Sequence, residues 1–308
     1  MAVDLKTPQE RAIVAELAAK ADVLVENLRP SSLRSAGLAY DRLRTLNPQL
    51  IQCSISGYGR DGPFAERAGY DFVMQAESGF MAITGEVAGE PMRLGVAFVD
   101  LAAGANATQA ILAALYARER TGMGQSIDIA LHDSALHFLA NIASGYLNTG
   151  DNPTRFGNAH ASIVPYQLLD TADGRVALAV GNNQQYRRLC CEALGRPDLW
   201  SDERFRSHSA RTQNREVLVP RLRAEFARHS TEQLRSRVRQ HGIPAGAVRS
   251  VADAFGSKEA LAREVVMAAA HPQLGQVRMV RARRSDSPAP PPSRPRRRRG
   301  SASIPARC

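Results

Sequence analysis

Cysteine is scarce, with four residues (Cys53, Cys190, Cys191 and Cys308) in a chain of 308. Four thiols so placed show no pairing framework, which excludes a disulfide-stapled scaffold. Long apolar runs are also missing. The longest, such as residues 107–117, are interrupted by polar residues and fall short of the roughly 20 that a membrane span needs, so no membrane partner is expected. The opening residues Met1-Ala2-Val3-Asp4-Leu5-Lys6 have neither the basic start nor the apolar run of a signal peptide, and a cytoplasmic location is expected. The histidines show no metal-ligand spacing and Cys190-Cys191 is not a zinc pair, so no metal is expected. There is no internal repeat and no motif of the usual nucleic-acid-binding kinds.

What is present is a globular composition, 44% hydrophobic and 23% charged, with enough apolar surface to bury a core. The formal net charge of +10 is unevenly spread. Residues 281–308 hold nine Arg against the single acid Asp286, and six of the chain's 17 Pro. Everything before them is nearly neutral. A polybasic tail binds polyanions through counterion release, which leaves a polyanion-binding protein as one reading of function, without specific nucleic-acid recognition. No helical or strand period survives from residue 285, and residues 285–308 are expected to be disordered.

The order of segments predicts an α/β fold. Thr7-Pro8-Gln9-Glu10 has a capping residue, a Pro at the first helical position and an acid at the third, followed by apolar Ile13, Val14, Leu17 and Ala18 at helical spacing. Residues 23–25 and 50–55 read as short strands around a small helix at 41–46, the βαβ signature of a parallel sheet. A polar loop over 60–69, a helix over 70–80 and a loop over 85–91 follow. Residues 96–99 read as a strand that stops at Asp100, then a helix over 101–118, a strand over 126–130 and a helix over 133–147. Beyond residue 150 the character changes. Strands at 163–169 and 175–180, joined by the hairpin signal Asp173-Gly174, precede helices near 184–194, 211–228 and 231–240. The expected organisation is a large Rossmann-like domain with a parallel sheet at 1–150, a smaller α+β domain at 151–250, a segment at 251–284 returning to the large domain, and the tail.

On physical grounds Asp100 stands out. It ends an apolar run and opens a helix whose next residues, Ala102-Ala103-Gly104, would let a bulky ligand approach, although an ordinary N-cap Asp fits as well. Tyr70-Asp71 at a helix start reads as a cap or a site. Gly181-Asn182 after a strand reads as a turn or as backbone brought close to a ligand. His132-Asp133-Ser134 contains the three residue types of a hydrolase triad, but neighbours on a helix do not face one another; Asp133 is expected to cap. Gly122-Met123-Gly124 lacks the flanking strand and helix of a phosphate loop and reads as a turn.

Taken together, the motifs go further. The segment Ala21-Asp22-Val23-Leu24-Val25-Glu26-Asn27-Leu28-Arg29-Pro30 resembles a hallmark of the class III CoA-transferase family, the carnitine and formyl-CoA transferase group. The likeness continues through Ser56-Gly57-Tyr58-Gly59 with Gly62-Pro63, Gly69-Tyr70-Asp71, Thr121-Gly122-Met123-Gly124-Gln125, Asp133-Ser134, Gly157-Asn158, Pro165-Tyr166, Gly181-Asn182 and Gly242-Ile243-Pro244-Ala245-Gly246. The resemblance implies a CoA-transferase that exchanges CoA between an acyl-CoA and a carboxylic acid, with a CoA thioester as substrate and no permanently bound cofactor. It implies Asp100 as the catalytic nucleophile, Asn27, Leu28 and Arg29 as CoA contacts, and Tyr70, Gly181 and Asn182 as active-site lining. It also implies a homodimer of interlocked rings. The stretches 157–166 and 181–190 are similar to those of members that use dicarboxylates such as succinate and glutarate. A sibling group with the same fold, the α-methylacyl-CoA racemases, has a His thirty residues before the Asp. Here that position is Tyr70, a poor base near neutral pH, which favours acyl transfer. Against the family pattern, one strand and loop are expected to precede Met1, and the Arg/Pro tail is expected to stand where the family has a C-terminal helix, as a shifted reading frame would produce. On that reading the chain as written is expected to be poorly stable and nearly inactive.

Overall fold

The computed structural model describes residues 2–281. The expected disorder of residues 285–308 lies outside the described residues. The first half is built on a three-stranded parallel sheet in the order β1-β2-β3, with β1 at Val23–Glu26, β2 at Ile51–Ser56 and β3 at Ser126–Ala130. Val23 pairs with Ile51, and Gln52 with Ser126. The central strand is buried along Ile51-Gln52-Cys53-Ser54, as expected of a strand flanked on both sides and covered by helices. Helices α1 (Pro8–Lys20), α2 (Pro30–Ser35) and α3 (Tyr40–Leu46) connect β1 and β2 and precede them, and their Ala18, Leu33 and Leu43 form one core with Leu50. The α1 start follows its sequence signal: Thr7 Oγ1 accepts from the Glu10 amide and Pro8 takes the first turn.

Between β2 and β3 the chain forms α4 (Asp71–Glu77), the short α5 (Phe80–Ile83) and the 24-residue α6 (Phe98–Thr121). Met74, Phe80, Val99 and Ala103 join Leu131 and Ala135 of α7 (Leu131–Phe138) in a second core. Four sequence expectations are corrected here. Residues 96–99 are not a strand: α6 already begins at Phe98, and Asp100 is its third residue rather than its N-cap. The expected helix over 133–147 is two helices, α7 and α8 (Ala140–Thr149), divided at Ala140, whose φ is 50°; Asp133 lies in the first turn of α7, and Ala130 holds the cap position. By length and composition α6 could cross a membrane, contrary to the reading of its apolar runs. Yet Ala102, Ala103, Ala107 and Ala114 are buried, and its end is tied down. Arg118 donates to the carbonyls of Asp22 and Gln49 at 3.2 and 3.1 Å and to Asp22 Oδ1 at 2.8 Å. Gly122, with φ 73°, ends the helix in the left-handed conformation. Gly124 then passes so close to Leu50 that a Cβ there would lie 2.0 Å from the Leu50 carbonyl oxygen.

The second half has its own antiparallel sheet, β4 (Tyr166–Thr171), β5 (Gly174–Ala179) and β6 (Ala245–Ala247). Thr171 pairs with Gly174 across the turn at Ala172-Asp173. Helices α9 (Asn183–Arg188), α10 (Pro197–Ser201), α11 (His208–Gln213), α12 (Arg215–Phe226) and α13 (Thr231–Gln240) pack with it around Tyr186, Phe205, Leu218 and Phe226. Arg211 is fully buried here. It donates to the carbonyls of Val164 and Phe205 and to Asn183 Oδ1, and stacks over Tyr186 at 4.4 Å. In the segment expected to return to the large domain, residues 251–281 form α14 (Val251–Phe255), α15 (Lys258–Ala262) and a hairpin of β7 (Val266–His271) with β8 (Gly275–Val280). None of these residues is buried, and among the described residues the two strands pair only with each other.

Candidate active site

Parallel strands present their carboxyl ends and following loops on one side of a sheet, the usual place for a ligand crevice in α/β proteins. A cleft of about 460 Å³ opens there. It is lined by Asn27, Leu28 and Arg29 after β1, by Ile55-Ser56-Gly57 at the end of β2, by the loop running from Ala65 to Tyr70, by Asp100 and Gly104 of α6, and by Leu131 just after β3. Five of the seven residues singled out from sequence therefore share one cavity. The remaining two do not line it. Gly181 and Asn182 join β5 to α9, where the Gly181 amide donates to Gln185 Oε1 at 2.8 Å and Asn182 Oδ1 accepts from the Gln185 amide at 2.9 Å. Their described contacts are those of a helix cap.

Each wall has a local cause. Glu26 Oε2 accepts from the Leu28 amide at 2.8 Å and so bends the chain after β1 toward the cleft. Pro30 at the first position of α2 starts that helix and leaves Arg29, exposed, as the residue before it. The opposite wall, the loop over 60–69, is pinned twice. Glu66 accepts from the Ser31 amide at 2.8 Å and from its hydroxyl at 2.6 Å, and pairs with Arg34; these bonds pull its carboxyl below the usual range. Arg67 donates to Glu77 and lies over the Tyr58 ring at 4.9 Å, while the Tyr58 hydroxyl donates to Glu77 at 2.7 Å. Gly57 and Gly69 make this wall thin: a Cβ on Gly57 would stand 2.8 Å from the Gly69 Cα. Sequence reading missed Glu66 and Arg67, because nothing local distinguishes a loop ion pair from a solvated charge.

Asp100 enters the cleft from the first turn of α6. Its carboxylate makes no hydrogen bond or ion pair with another described residue. Its pKa is raised, first by burial and second by the Asp71 carboxylate. Asp71 does not cap its own helix, as the sequence suggested. Its Oδ1 accepts from the Val99 amide at 2.8 Å and so caps α6 from outside. One turn after Asp100, Gly104 leaves open space where any side chain would project. Tyr70 is 73% exposed at the cleft rim with no side-chain cap bond. A carboxylate of raised pKa that pairs with no other described residue, in a cleft also lined by Arg29 and Arg67, can attack an electrophilic carbonyl of an anionic substrate.

The sequence profile of CoA-transferase family III matches residues 1–298. The chain is 43% identical over 260 residues to a succinate–glutarate CoA-transferase of Agrobacterium fabrum, covering 84% of this chain and 65% of that protein. It is 43% identical over 277 residues to a succinyl-CoA:glutarate CoA-transferase of Mus musculus, covering 90% and 63% respectively. The chain thus spans slightly less than two thirds of the length of these relatives. Among solved structures, a CAIB/BAIF family protein from Brucella suis superposes with a TM-score of 0.74 at 43% identity, over 86% of this chain and 70% of that one.

Proposed function

The chain belongs to CoA-transferase family III, and from that premise we propose that it moves CoA from an acyl-CoA thioester to a carboxylic acid with Asp100 as the nucleophile. The observation that carries this reading is the unpaired Asp100 carboxylate in the same cleft as Asn27, Leu28 and Arg29. Asp100 attacks the thioester carbonyl, the C–S bond breaks, and CoA leaves as thiolate from a mixed anhydride. The thiolate then attacks the Asp100 acyl carbon, releasing the donor acid and leaving an aspartyl-CoA thioester that the acceptor acid opens by the same two steps in reverse. Arg29 pairs with CoA phosphates, for which a guanidinium suits. A dicarboxylate pair such as succinate and glutarate is supported by the names of the two relatives. A homodimer is part of the proposal, supported by Leu101, Leu112 and Tyr116, all more than 60% exposed on α6.

The test is covalent trapping. Incubation with succinyl-CoA followed by peptide mass spectrometry should find a CoA adduct on Asp100, and Asp100→Ala should lack it and lose transfer by about 10³-fold or more. An adduct on any other residue removes the assignment. Solvent-deuterium exchange at the α-carbon of a 2-methylacyl-CoA would favour the racemase reading, which Tyr70 in place of a His argues against.

A further inference from the structure

The outside cap on α6 extends into a longer connection. Asp71 Oδ1 accepts from the Val99 amide at 2.8 Å, and Oδ2 accepts from Gln75 Nε2 at 2.8 Å. Gln75, one turn further along α4, is completely buried. Its Oε1 accepts from the Leu94 amide at 2.8 Å and its Nε2 also reaches the Val96 carbonyl at 3.4 Å. Two side chains of α4 therefore hold the approach to α6 at three backbone points, 94, 96 and 99. A buried network with both ends satisfied is rigid, because each bond lost would leave a polar group without water.

We propose that Asp71, oriented by Gln75, is a positioning residue for Asp100: it fixes the first turn of the helix that carries the nucleophile and places a fixed negative charge beside it. The inference rests on the transferase reading above and adds to it the reason for a second carboxylate.

The reason lies in where charge goes. Over the first two steps Asp100–COO⁻ and RCO–SCoA become Asp100–CO–SCoA and RCOO⁻. The C–S bond of the donor thioester breaks, a C–S bond to the Asp100 acyl carbon forms, and one Asp100 oxygen departs in the released acid. The negative charge departs with it. Repulsion between Asp71 and Asp100 is thus present before acylation and absent after it, so Asp71 raises the free energy of the ionised nucleophile relative to the covalent state. Asp71 also contributes, after burial, to the raised pKa of Asp100. Asp71 is not among the residues lining the cleft, so its effect should fall on the chemical step rather than on acyl-CoA binding.

The experiment measures the equilibrium between free protein and Asp100–CoA adduct, using succinyl-CoA against graded concentrations of free succinate, by intact-protein mass spectrometry. Asp71→Asn keeps an oxygen for the Val99 amide and removes the charge. The adduct equilibrium constant should fall about twofold, because solvent around the exposed Asp100 carboxylate screens the pair. kcat should fall with it and KM for succinyl-CoA should stay within about twofold. Asp71→Glu, which keeps the charge, should recover part of the loss. Asp71→Ser, a capping oxygen without charge, carries the same expectation should the amide disturb Gln75 and prevent folding. A folded Asn or Ser variant with the adduct equilibrium and kcat of the unsubstituted chain overturns this inference alone. Absence of any adduct in the unsubstituted chain overturns the transferase reading, and the inference with it.

Discussion

Replacing Asp100 by Asn should abolish transfer and at the same time stabilise the fold at neutral pH. Two effects oppose each other at this position. An anion in the first turn of α6 gains from the helix dipole, typically about 0.3–1 kcal/mol. However, the Val99 amide, one of the donors that make up that positive end, is already satisfied by Asp71, whose charge offsets the dipole. Burial and the Asp71 carboxylate then act on Asp100 together, and the net result is a raised pKa. A carboxyl whose folded pKa lies above its unfolded value binds its proton more readily when folded. Its ionised form therefore costs stability at neutral pH, and the cost fades as pH falls through the folded pKa toward the unfolded value of 3.8. Because Asp100 remains largely open to solvent, screening keeps the gain small, about 0.5 kcal/mol, or roughly 1–2 °C for a domain of this size. Thermal melts of Asp100→Asn and the unsubstituted chain, at pH 7 and again near pH 4, should show a positive difference that shrinks on acidification and also in 1 M salt. A variant less stable at pH 7, or a difference that grows on acidification, would mean that the dipole outweighs burial and Asp71, and would refute the argument.

Two further outcomes follow from the packing. Gly104→Ala should stabilise α6 by up to about 1 kcal/mol, since its Cβ would meet nothing within 4 Å, whereas Gly104→Phe should block the cleft and raise KM for acyl-CoA at least tenfold; denaturant melts and initial rates measure the two. Arg211→Met should destabilise by about 3 kcal/mol or more in urea titration, because it strands the Val164 and Phe205 carbonyls and Asn183 Oδ1 in a buried site; a loss below about 1 kcal/mol would show that water replaces the guanidinium.

The contrast between α1 and α6 shows which parts of the structure are written locally. The start of α1 is legible because its cap, proline and acid are neighbours: Thr7, Pro8 and Glu10 satisfy one another within a single turn. The parallel pairing of β1, β2 and β3 is legible for a related reason, since short apolar runs separated by helices have few other ways to bury both faces. The start of α6 is not local. Val96-Ala97-Phe98-Val99 is an apolar run without a decisive period, and its final two residues are helical because Asp71, 28 positions earlier, supplies the cap. The same contact governs Asp100. Its residue type and its place at a helix start are visible in the sequence, and the family resemblance selects it. Its environment is set by a carboxylate on another helix, itself held by a buried Gln, and no spacing rule along the chain reports that. Gly181-Asn182, which reads in sequence as a turn or a site, makes the contacts of a helix cap among the described residues. A residue's identity and its neighbours in sequence indicate what chemistry it could perform. On the proposed reading the reactivity of Asp100 depends on charges brought to it by the fold, which is why replacing Asp71 tests the site more sharply than replacing any residue beside Asp100 in the chain.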